Sequence, residues 1–149
     1  MITKIISGGQ TGADQGGLFG ARDAGFKTGG HAPKNFMTER GSETWLAGSF
    51  GLVDSGLDYV GRTRLNVEYS DVTLWFGKAR SPGYWATGKA AATKGKPFFE
   101  AHLVNLEVVM KKYEVVNIAG NRESSNPGIF EKTRRRVSEV LTGILAESP

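Results

Sequence analysis

Ser7-Gly8-Gly9-Gln10-Thr11-Gly12-Ala13-Asp14 follows a β-branched run, Ile2, Ile5 and Ile6, and has the composition of a strand end, a sharp turn and a helix start. Gly8, Gly9 and Gly12 allow the backbone to bend or to approach a bound group closely. A helix beginning near Thr11 would aim unpaired N–H groups and a positive dipole end back over the strand, a geometry suited to phosphate or another anion. The spacing is neither GxGxxG nor GxxxxGK(S/T), so the usual dinucleotide and P-loop readings do not apply. Thr11 and Asp14 stand three residues apart, as in a capping box in which each side chain answers a free helix amide. A carboxylate repels phosphate, so Asp14 suits a ribose or pterin edge, or a site with an intervening cation.

Four more groups of residues could join that turn. Gly29-Gly30-His31-Ala32-Pro33-Lys34 reads as a second glycine loop facing an anion, with Lys34 as its cation. Arg62 and Asn66, four apart on one helical face, can reach one object, either a ligand or the carboxylate of Asp71. Arg80, Ser81, Gly83 and Thr87 surround a strand-to-helix turn where Ser81 and the following amides could cradle an oxyanion. Either Tyr84 or Trp85 could stack on a heterocycle there, or close the top of the core. Asn117 lies in an apolar strand, where an amide side chain needs a hydrogen bond, and Gly120, Arg122 and Glu123 follow at its end. Arg122 and Glu123 serve either the site or a surface ion pair.

Alternation of strands and helices must position these residues. The patterning predicts strands at 26–28, 71–77, 97–99 and 113–119, after the first strand, and helices at 13–24, 62–70, 85–94, 103–112 and 129–147. Gly25 serves as the stop of the first helix, Leu65 and Tyr69 face the core from the second, and Leu103, Leu106 and Met110 do so from the fourth. Segment 35–60 reads as short helical turns and a covering loop. The expected architecture is α/β: one domain over 1–149, with a three-layer, doubly wound, mostly parallel, Rossmann-like sheet.

Composition narrows the chemistry. The chain has no cysteine, which removes disulfides, thiolate metal ligands and a cysteine nucleophile. His31 and His102 are too few for a zinc site; His31 could touch phosphate and His102 belongs on the surface. No Ser-His-Asp arrangement or catalytic carboxylate pair is visible, so no catalytic residue and no metal ligand is assigned. No apolar run is long enough to cross a membrane and no leader pattern opens the chain, which gives the expectation of a soluble cytoplasmic protein. A net charge of +4 fits a small anionic ligand at least as well as nucleic acid. Arg134, Arg135 and Arg136 point about 100° apart around their helix, which favours a solvated face over a nucleic-acid stripe.

Ser7-Gly8-Gly9-Gln10-Thr11-Gly12-Ala13-Asp14-Gln15, Thr28-Gly29-Gly30 with Pro33-Lys34, Arg62-Thr63 with Asn66-Val67 and Ser70-Asp71, and Asn117-Ile118-Ala119-Gly120 with Arg122-Glu123-Ser124 and Pro127-Gly128-Ile129 recur together in one family. In these pieces, spread over nearly the whole chain, the sequence resembles the putative molybdenum carrier family. Those are small Rossmann-like proteins related more distantly to DprA/lysine-decarboxylase-like proteins and to cytokinin-activating phosphoribohydrolases. The resemblance implies a homo-oligomer that binds molybdenum cofactor (molybdopterin), or another phosphorylated heterocycle, at its glycine loops. One departure is Ser81-Pro82-Gly83-Tyr84-Trp85-Ala86-Thr87, where the phosphoribohydrolases carry PGGxGTxxE with a glutamate that assists glycosidic cleavage. The double glycine and that glutamate are absent, which argues against phosphoribohydrolase activity. Three functions follow as expectations: a cofactor carrier; an enzyme of nucleotides or nucleoside phosphates with Asp14 or Glu123 as acid or base; and a nucleotide-sensing or nucleic-acid-associated module.

Overall fold

The computed structural model describes residues 1–147. Its strands are β1 (Lys4–Ile6), β2 (Lys27–Ala32), β3 (Met37–Thr38), β4 (Gly41–Ser42), β5 (Leu52–Asp54), β6 (Val72–Phe76), β7 (Phe98–Glu100) and β8 (Val115–Gly120). The helices are α1 (Ala13–Asp23), α2 (Trp45–Phe50), α3 (Tyr59–Glu68), α4 (Pro82–Lys94), α5 (Leu106–Lys112) and α6 (Ile129–Glu147), with short 3-10 turns at Lys34–Phe36 and Ala101–Leu103. Six strands form one parallel sheet in the order β5-β2-β1-β8-β6-β7, and β3 and β4 form a separate antiparallel hairpin. The expected doubly wound, three-layer architecture is present. α1, α5 and α6 cover one face and α3 and α4 the other.

Burial explains the strands. Every residue of β6 is buried, as a central parallel strand covered on both faces requires, and the main core combines β1, β6 and β8 with Val137, Leu141 and Ile144 of α6. α1 and α6 cross with almost nothing between them: a Cβ on Gly16 or Gly20 would come within 2.5 or 2.6 Å of the α6 carbonyls of Phe130 and Arg134. α1 ends as expected at Gly25, whose φ of 80° accompanies hydrogen bonds from Gly25 and Phe26 N–H to the carbonyls of Arg22 and Ala21.

Several boundaries differ from the pattern. Gly29 and Gly30 are not in a loop but inside β2, because β5 pairs with Gly30–Ala32 and extends the strand. Gly30 has φ 125° and lies so close to Ser7 that a Cβ would strike the Ser7 carbonyl, so here glycine lets two strands approach. Segment 35–60 contains the predicted short helix but also the hairpin and β5, which are two or three residues long and carry no alternation to read. α3 starts earlier, at Tyr59 behind the Asp58 cap, and turns Asn66 and Val67 inward; beyond its end Ser70 is buried while Tyr69 is exposed. α4 begins at Pro82, three residues early, because Ser81 caps it by accepting from Tyr84 N–H at 3.1 Å. α5 begins at Leu106 because Asn105 accepts from Val108 N–H, leaving Leu103 outside the helix and exposed.

Candidate binding cleft

The chain leaves β1 toward β2 on one side and β6 toward β7 on the other, with β8 between them. In such sheets ligands lie where the strand order reverses, beyond the carboxyl ends. There, between α3 and α4, opens a cleft of about 230 Å³. The first turn contributes Gly8, Gln10 and Asp14, α3 contributes Arg62 and Asn66, and α4 contributes Gly83 and Thr87. β8 and the segment after it bring Asn117, Gly120 and Arg122. These ten expected residues meet at one place.

Arg62 dominates the floor. Its guanidinium lies over Gly8 where a Cβ would otherwise stand, and NH1 donates to Asp14 Oδ2 at 3.0 Å. The two side chains are only 11 % and 6 % exposed. Arg62 Nε is sealed from solvent without a hydrogen-bond partner, an orphaned donor at the cleft floor. Asp14 Oδ2 also accepts from Gln10 N–H at 3.2 Å. Burial pushes the Asp14 carboxyl above its ordinary value, while Arg62 and the Gln10 amide pull it back without cancelling the rise. Asn66 does not share an object with Arg62. Its amide donates to the His31 carbonyl and accepts from the His31 N–H, tying α3 to β2, while Asp71 accepts from Val115 N–H.

The glycine turn is less open than its composition predicts. Gly9 N–H donates to Ser7 Oγ, Gln10 N–H to Asp14, Thr11 N–H to the Gln10 side chain, Ala13 N–H to the Asn121 carbonyl and Gln15 N–H to the Gln10 carbonyl. α1 begins at Ala13 with Gly12 as its cap residue, at φ 81°, and Thr11 and Asp14 do not form the capping box. Thr11 instead donates to Glu39 and accepts from Glu123 N–H. Glu39, on the β3–β4 hairpin, also holds Ser124 through both its N–H and its hydroxyl. Glu43 accepts from Gln15 at 2.9 Å and from Thr38 at 3.0 Å. The hairpin is thus strapped across the turn by two carboxylates. Burial raises both, and the hydrogen bonds they accept outweigh it and hold them below the usual glutamate value.

Other expected residues do not line the cleft. Gly9, Thr11, Gly12, Gly29, Gly30, Lys34, Arg80 and Ser81 stand outside its walls. Glu123 does too: it accepts from Gly128 N–H at 2.7 Å and Phe130 N–H at 2.9 Å and so holds the start of α6. Tyr84 and Trp85 are also elsewhere, Tyr84 packing edge-on against Trp75 and donating its hydroxyl to Glu100. The aromatic walls are Trp75 and Tyr59, and Arg62 lies 5.7 Å from the Tyr59 ring centre. The Asp58 cap one residue earlier was the sequence signal for Tyr59; β6 gave none for Trp75, which reads simply as core. His31 packs on Tyr69, and Arg134 is bound to Asp23 with Arg135 and Arg136 exposed. Among the described residues no cluster of three or more potential metal-binding side chains occurs. No described helix is long and apolar enough to cross a membrane.

A second hollow of about 420 Å³ lies behind the turn, walled mainly by Phe19, Trp45 and Phe130. Two of its polar side chains are engaged: Gln15 binds the Gly9 carbonyl, Glu43 and Arg40, and Glu123 holds the α6 amides. The cleft instead holds the buried Arg62–Asp14 pair at its floor.

Among curated proteins no relative matches. Among solved structures, the chain is similar to the putative molybdenum carrier protein from Syntrophus aciditrophicus SB, at 30 % identity and a TM-score of 0.75. That likeness covers 96 % of this chain and 94 % of the other. The model of the circularly permutated YpsA SLOG family matches residues 5–141, and the chain belongs to that family.

Proposed function

We propose that the chain binds and carries a phosphorylated heterocycle of the molybdenum-cofactor type in the cleft between α3 and α4. The observation that carries this reading is the buried Arg62 guanidinium at the floor of a switch-point cleft, held to Asp14 through NH1 alone. The anion is met by the Gly83 amide at the amino end of α4 and by Arg122 at the exposed rim, while Arg62 supplies a donor and a positive charge at the floor. Tyr59, 39 % exposed, supplies a face for a planar ring. The residues fit such a cargo in kind: donors for a phosphate, apolar walls for a pterin and an open mouth through which the metal-bearing end extends. The cargo brings its own sulfur ligands, so a chain without cysteine can hold it. The name of the solved relative, a putative molybdenum carrier protein, points the same way.

In this reading the protein works in the cytoplasm as a homo-oligomer, and the ligand-binding element is the cleft with Arg62 at its floor, not the glycine turn alone. A nucleotide is the alternative ligand. A second reading, proton transfer on a nucleotide, draws on the buried Asp14 carboxyl and its raised affinity for a proton. Native mass spectrometry of gently purified protein, followed by denaturation and identification of what is released, tests both and counts subunits. A pterin or molybdopterin mass supports the carrier. A nucleotide mass that converts to base and sugar phosphate on incubation overturns it.

A further inference from the structure

The Arg62–Asp14 pair is joined by a single hydrogen bond. NH1 donates to Oδ2, leaving Arg62 NH2 and Asp14 Oδ1 with no hydrogen-bond partner among the described residues. Unlike Nε, neither atom is sealed from solvent, and both residues line the cleft. Asn117 makes a third open group. Its Nδ2 donates to Thr73 Oγ1 at 3.2 Å, and its Oδ1 accepts nothing among the described residues and is likewise not sealed. The residues themselves are deep: Asp14 is 4 % and Asn117 3 % exposed. The floor therefore offers one donor and two acceptors, beside apolar surface from Val60 and Tyr59. A buried acceptor left unpaired costs binding energy, so the floor selects a ring edge with one acceptor and two donors.

We infer that the cleft reads the 2-amino-4-oxo edge of a heterocycle, with Arg62 NH2 donating to the ring carbonyl oxygen and Asp14 Oδ1 and Asn117 Oδ1 accepting from the ring N–H and the amino group. Pterins and guanine present that sequence of groups. Hypoxanthine lacks the second donor. Adenine offers one acceptor and one donor group and leaves one floor acceptor unpaired. The inference rests on the cleft being the ligand site.

Equilibrium binding of GMP, IMP and AMP to the full chain, by calorimetry at fixed pH and salt, tests it, with 6-hydroxymethylpterin monophosphate as a fourth probe. GMP and the pterin bind roughly tenfold or more tighter than IMP and AMP, as expected for one lost hydrogen bond at a buried acceptor. In Asn117→Ala the ratio of GMP to IMP affinity falls toward one. A folding defect in that variant would weaken both nucleotides together and leave the ratio intact. IMP or AMP binding as tightly as GMP overturns the edge reading and leaves the anion cleft standing, as does a preference for GMP that persists in Asn117→Ala. Failure of all four ligands to bind overturns the edge reading and the cleft together.

Discussion

Replacing Arg62 by Met removes the charge that Asp14 faces while retaining much of the apolar stem. With the two side chains 11 % and 6 % exposed, solvent screens the pair little, and breaking a buried pair costs about 3–5 kcal/mol. Asp14 keeps the Gln10 amide and can take up a proton, which places the expected loss near the lower end, at ~3 kcal/mol at neutral pH. For a chain of this size that corresponds to a fall in Tm of about 6–12 °C. The pH dependence carries the diagnosis. Losing Arg62 raises the folded-state affinity of Asp14 for a proton further above its unfolded value, so the variant is relatively most stable below the unfolded value of 3.8 and loses stability as pH rises through the folded one. Urea unfolding of both proteins at pH 7.5 and pH 4.5 should show a gap that narrows at the lower pH. Adding Asp14→Asn to the variant should recover about 2 kcal/mol, since no charge is then buried unpaired. A loss below about 1 kcal/mol, equal at both pH values, would refute the reasoning.

Three further perturbations test other parts of the structure. Gly120→Ala places a Cβ against the Phe76 carbonyl and 2.5 Å from Ala13 Cβ, with backbone unable to yield; it should destabilise by about 1–3 kcal/mol or more, and a neutral result in urea unfolding would contradict the close packing. Gly143→Ala, in α6 with nothing within 4 Å of the new atom, should stabilise by ~0.5–1 kcal/mol, read as a higher urea midpoint. Glu39 and Glu43 have folded-state values below the ordinary 4.5, so the stability they supply is complete above that value and is lost as pH falls through the lower folded ones. Hydrogen exchange should accordingly show the 37–43 strap opening as pH is lowered through that window, earlier than the β1–β8 ladder; simultaneous loss of both would count against a separately latched strap.

Long or fully apolar elements were readable. β6 and α6 announce themselves by an unbroken apolar run and by a 3.6-residue repeat, and α6 spans the residues expected of it. β5 and the hairpin were not, because two or three residues hold no period and their stability comes from partners distant in sequence. The glycine positions were informative about the need for glycine but not about its cause. Gly30 serves strand contact with Ser7, and Gly8 makes room for the Arg62 guanidinium at the cleft floor. Arg62 and Asn66 were recognised as a pair on one face, yet their partners, Asp14 and the His31 backbone, are 48 and 35 residues away and leave no mark in local spacing. Ser81 and Glu123 cap helices, and because capping and anion binding use the same groups at the same helix ends, spacing alone does not separate the two roles.

The location of the ligand is the central claim, and amide chemical-shift mapping of the isotopically labelled chain with 6-hydroxymethylpterin monophosphate tests it most directly. Saturable shifts should concentrate at Gly8, Gly83 and Asn117 around the cleft and disappear in Arg62→Met. Shifts concentrated instead at Phe19, Trp45 and Phe130, and unchanged by that substitution, would place the ligand in the second hollow and contradict the claim.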